Sequence, residues 1–167
     1  MKHAAIVVLA APLMAFAAPA YAGNAQAEAS ARVLTQVTIT ITAPVQFGTI
    51  IPDDDATGYV SIAAEGSVSE CTVSGCFGLT SPAKFVVNGS AGDIVTLSHA
   101  GTALNPVTFS ITNGINSTTF GVILQSPMLT LNASGQAEFN MGARIVIPAG
   151  LPAGDYTGQF EITVNYQ

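Results

Sequence analysis

Beyond residue 22 no stretch keeps a three-to-four-residue apolar period; apolar and polar positions alternate instead in short runs. The clearest run lies at the end of the sequence. Tyr156, Gly158, Phe160, Ile162, Val164 and Tyr166 occupy its even positions, and Thr157, Gln159, Glu161, Thr163 and Asn165 its odd ones. Strict period two predicts one strand over 156–166 with one face buried and one wet. Similar runs begin at Val37, Tyr59, Lys84, Asp93, Val107, Phe120, Met128, Ala137 and Arg144. Turn-forming residues separate them, among them Asn113 with Gly114, Ser134 with Gly135, and Pro148 with Gly150. About ten short strands and no helix predict an all-β domain, an immunoglobulin-like β-sandwich.

Residues 23–33 carry a second alternation, built of small side chains. Ala25, Ala27, Ala29, Ala31 and Val33 fall on one face, with Gln26, Glu28, Ser30 and Arg32 on the other. Two expectations stand side by side: a low-complexity tail, or an extension that pairs with another subunit. A sandwich lacking an edge strand exposes its core and a row of unpaired backbone groups, a hazard unless another strand is supplied. Supplied by a second chain, that strand joins the molecules through main-chain hydrogen bonds and alternate side chains. In this scheme the strand over 156–166 forms one wall of a gap and a neighbour's residues 23–33 fill it. The sandwich is then of the incomplete kind.

Composition narrows the role. Lys2 and His3 precede an apolar stretch interrupted by Pro12, and Ala20, Tyr21 and Ala22 form a small-x-small site, so residues 1–22 read as a secretory signal peptide with no retained transmembrane helix. The remaining 145 residues suit one domain, placed over 34–167 after the extension at 23–33. They hold Arg32, Lys84 and Arg144 against ten acidic residues. Such a surface repels phosphate backbones and anionic lipid, which argues against nucleic acid as a partner. Cys71 and Cys76, the two cysteines, are close in sequence in an exported chain and predict a structural disulfide.

Candidates for catalysis are few. His99 is the one histidine after the signal, read as an exposed turn residue, and no nucleophile elbow or phosphate loop occurs. Asp53, Asp54 and Asp55 lack the alternate spacing of a calcium loop and read as a solvated turn. No catalytic residue, metal site or cofactor is therefore expected, and the chain is expected not to be an enzyme.

The end of the sequence resembles that of chaperone–usher pilins, with Gly154 fourteenth from the last residue and Tyr166 penultimate. More closely, Gln46, Phe47 and Gly48, then Gly142 and Ala143, then residues 154–167 resemble a set of secreted bacterial proteins catalogued as domain of unknown function 4402. This resemblance implies a pilin-like assembly strand in which Gly154 starts the strand. Tyr156, Phe160, Ile162, Val164 and Tyr166 are then the positions that a periplasmic chaperone engages, before an outer-membrane usher hands the subunit to a polymer of itself or of other pilins. The expected site of action is the periplasm in transit and then a cell-surface fimbrium. The sequence departs from pilins in offering alanines as donor residues. Burial stabilises by about 25 cal/mol per Å², so methyl groups grip weakly and the donor is open to extension through Val33, Leu34 and Val37. The alternative expectation is a self-contained secreted binding module for a glycan or a cell-surface partner.

Overall fold

A computed structural model describes residues 25–99 and 108–167. Residues 1–22, expected to be a signal peptide, the first two residues of the extension and Val107 lie outside the described residues. The chain divides after Arg32, and residues 33–167 form one compact unit. In chain order its strands are β1 (Thr38–Ala43), β2 (Thr49–Ile51), β3 (Gly58–Ile62), β4 (Val68–Cys71), β5 (Gly75–Phe77), β6 (Ala83–Asn88), β7 (Ile94–His99), β8 (Thr108–Thr112), β9 (Ser117–Ile123), β10 (Met128–Thr130), β11 (Gln136–Ile147), β12 (Thr157–Gly158) and β13 (Ile162–Tyr166). The all-β, immunoglobulin-like sandwich expected from the alternation is the fold observed.

The larger sheet runs β1-β6-β11-β9-β8-β12, with β3 on β11 and β4 on β3; the smaller runs β10-β7-β13, and β2 pairs with β5. All pairs are antiparallel, so short turns suffice to join neighbours. Inward-facing apolar residues of the large sheet, among them Val60, Phe85, Phe120, Met141 and Ile145, make the main core. A second cluster, Val87, Val95, Leu97 and Leu131, lies where β6 meets the small sheet. Full burial of each such side chain stabilises by roughly 1.5–3 kcal/mol.

Three expectations need correction. The runs at Ala137 and Arg144 are one strand, β11, which pairs with β6 over its first half and with β3 and β9 over its second. The changeover falls at Gly142, where a Cβ would lie 2.5 Å from the Ile62 carbonyl; only glycine lets the end of β3 approach so closely. The run at 156–166 is two strands. Thr157 and Gly158 pair with Thr112 and Ile111 in the large sheet, whereas 162–166 pair with 95–99 in the small one. Both sheets face one core, so the chain crosses between them with its even side chains still inward. Finally, His99 is no turn residue. It ends β7 opposite Ile162, half-buried, and its Nδ1 has no hydrogen-bond partner among the described residues.

Candidate functional site

Several strands have one unpaired edge. β1 pairs only with β6, β12 only with β8, and β13 only with β7 among the described residues. The run that starts with β1 continues past its end, since Gln46 exchanges backbone hydrogen bonds with Ser81 at 2.9 and 3.0 Å. The run that ends in β13 begins around Gly154. Between residues 44–52 of the first run and 151–158 of the second lies a groove of about 930 Å³. Its lining includes the core residues Ile111, Phe120, Ile145 and Ile147. Asp155 is the one charged residue in that lining. The groove therefore lies between these two stretches and reaches down to core residues that are themselves buried.

Local chemistry shapes the groove walls. Phe47 turns inward to meet Phe120 edge-on at 6.4 Å between ring centroids. Gly48 has φ 75°, and a Cβ there would lie 2.6 Å from the Phe77 carbonyl, so the chain bends away into β2 where other residues could not follow. On the opposite wall the Tyr156 hydroxyl donates to the Pro152 carbonyl at 2.9 Å. Phe160 then plugs the crossing between sheets, with its ring 6.2, 5.9 and 6.0 Å from those of Phe85, Phe109 and Phe120.

At its other end the gap is closed. Val37, Ile39, Val164 and Tyr166 pack together onto the second core cluster. The Tyr166 hydroxyl donates to the Thr35 carbonyl at 2.6 Å and accepts from the Ser90 N–H at 2.6 Å. Thr35 N–H donates in turn to Ser90 Oγ at 2.7 Å. The gap is thus a wedge, shut at Thr35 and Tyr166 and open at Phe47 and Tyr156.

The residues singled out from sequence fall on this wedge in part. Gly154 and Tyr156 line the groove, whereas Phe160 and Ile162 pack on the main core and Val164 and Tyr166 on the second cluster; the five side chains are half-buried. Gly154 lies ahead of β12 rather than at the start of β13. Ala25, Ala27, Ala29, Ala31 and Val33 form no strand in the single chain; all are exposed, and Val33 is 93 % exposed. Cys71 and Cys76 are bonded to each other and tie β4 to β5; Cys76 stands opposite Ile50 of the groove wall in the β2–β5 pair. Asp53 accepts a hydrogen bond from Ser74 Oγ and its carbonyl one from the Gly150 N–H, so the triad starts in a tied turn. Among the described residues no group of three His, Cys, Asp or Glu is placed to hold a metal.

Sequence patterning missed the other wall, residues 44–52, because it is irregular, and missed Thr35 and Ser90 because each contributes backbone or hydroxyl groups that no pattern marks. Phe47 and Gly48 were visible only as part of a resemblance. The family described as domain of unknown function DUF4402 matches residues 37–166, and the chain belongs to it. No curated protein matches the chain. The match covers both walls of the wedge and starts where the extension has ended.

Proposed function

We propose that the protein is a structural, non-enzymatic subunit of a surface fimbria, held in the periplasm by a chaperone, passed to an usher, and joined to other subunits by a strand inserted in the wedge. The observation that carries this reading is the groove between residues 44–52 and 151–158, floored by Ile111, Phe120, Ile145 and Ile147 and bordered by β12, which pairs only with β8 among the described residues. An extended segment there would gain backbone partners and cover apolar surface in one step. Residues 25–34 of another copy suit the place: they are exposed, lack secondary structure and alternate.

The test is to purify the mature protein from the periplasm and run it unheated in SDS. A ladder of multimers that collapses on boiling supports the proposal. A lone monomer that refolds unaided sinks it and leaves the self-contained binding module as the better account.

A further inference from the structure

We propose that β1 is a separate association surface, on which two copies of the chain pair edge to edge about a two-fold axis at Thr40. The proposal does not rest on the assembly reading above and uses neither residues 44–52 nor residues 151–158. It starts from the sequence of β1, which reads Thr38, Ile39, Thr40, Ile41, Thr42, Ala43. The strand holds no charge, no Gly and no Pro, and its first five residues are all β-branched, which favours extended backbone. It is also a margin of the large sheet, with β6 its one strand partner among the described residues. Sheets commonly blunt such a margin with charge, Pro or short length. Other edge strands here carry those devices: β4 holds Glu70, β10 has three residues and β12 two, and Glu161 directly precedes β13. In β1 the run is interrupted only at its end, by a bulge between Ile41 and Ala43 and then by Pro44.

The order of the residues identifies the occupant of this edge. Residues 38–42 read the same in both directions. Laid antiparallel on a second copy with Thr40 opposite itself, they set Thr38 against Thr42 and Ile39 against Ile41. Each of these contacts then occurs twice, as a two-fold axis requires. Odd residues meet odd and even meet even, so backbone groups that point away from β6 face others that do the same. The faces match as well. Ile39 and Ile41 stand opposite Val87 and Phe85 of β6, both buried, so the two isoleucines lie on the core side, and the three threonines lie exposed on the other. Ile39 packs on the core, whereas Ile41 remains 54 % exposed. In the pair Ile41 gains Ile39 of the second copy as the neighbour its own domain does not give it. Apolar thus meets apolar and hydroxyl meets hydroxyl, the pairings that stabilise antiparallel strands.

Disulfide trapping in the full mature chain tests this. The two native cysteines are bonded to each other, so Thr40→Cys adds a single free thiol on an exposed position. Directly opposite residues of an antiparallel pair have Cβ atoms about 4.5–5.5 Å apart, within reach of a disulfide. Mild oxidation at about 100 µM, a range suited to a small interface, should give a dimer that survives boiling and is lost on adding reductant. Boiling separates this outcome from the ladder of strand-inserted multimers, which collapses under that treatment. Thr38→Cys places the two thiols four residues out of register, about 13 Å apart, and should stay monomeric on the boiled gel. Adding Thr38→Lys and Thr42→Lys to Thr40→Cys sets like charges opposite each other and should slow trapping roughly tenfold. Thr38→Lys with Thr42→Glu should restore it. No trapped dimer from Thr40→Cys overturns the proposal, whatever the ladder shows. Equal trapping of Thr38→Cys and Thr40→Cys, or of the like-charged and opposite-charged forms, overturns it too, since the strands would then not meet in this register.

Discussion

Phe160 is the side chain on which the crossing between sheets depends. Its ring meets those of Phe85, Phe109 and Phe120 within 6.2 Å, at a point where the backbone pairs with neither sheet. Phe160→Ala should lower stability by about 2 kcal/mol in urea unfolding, less than for a fully buried phenylalanine because this ring is half exposed. On the outer face of the sheet a different chemistry operates. The Arg144 guanidinium lies 3.7 Å from the centre of the Tyr59 ring and bonds to Glu70 at 2.6 Å. Tyr59 itself donates to Glu70 at 2.8 Å. That hydrogen bond, and then the charge of Glu70, hold the phenol above its ordinary value of 10.0, with Arg144 pulling the other way. The folded state thus keeps the proton more tightly than the unfolded chain. Its contribution to stability is whole below pH 10 and is lost as pH rises through the folded value. Stability measured against pH should fall above about 10, and the fall should be smaller in Tyr59→Phe.

Elements built on regular alternation were legible, and those built on irregular backbone were not. β6, β7 and β9 announce themselves because every second residue is apolar and one face is buried. β2, β4 and β5 are short and contain no fully buried residue, so burial imposes no pattern on them; β4 and β5 are secured by the Cys71–Cys76 bond instead. The split of the run at 156–166 was invisible for a related reason. Alternation records which side faces the core, and that side stays the same when a strand passes from one sheet to the other. Reducing the disulfide, or Cys71→Ser with Cys76→Ser, should cost about 2 kcal/mol, since the loop it closes is short; thermal unfolding with and without reductant would show it. The β2 part of the groove wall should loosen with it, because Cys76 is the strand partner of Ile50. The extension is an element of another sort. Removing residues 23–33 should leave monomer stability within about 0.5 kcal/mol while abolishing the SDS-resistant ladder. Equal ladders from the truncated and whole chains would refute the donor role of this segment.

For the whole molecule, the wedge unites features that the sequence scattered. One wall comes from residues 44–52 and the other from 151–158, while the floor belongs to β8, β9 and β11. No local window of sequence contains more than one of these. What was legible was the need for a cover over the alternating run; what was not was that the cover is missing at only one end. Family membership over residues 37–166 spans all these parts.

The bridge at Tyr166 also has a kinetic side. It joins Tyr166 to Thr35 across 131 positions, and β13 reaches back as far to β7 as residue 166 does to 95. Contacts so distant in sequence must wait for long loops to close, and chains dominated by them fold slowly, in milliseconds to seconds. Until those loops close, the apolar residues of β13 lack the neighbours that β7 and the second core cluster give them in the folded chain. The feature that shuts one end of the wedge is thus among the last to form, and the time before it forms is when the nascent domain is most open to capture.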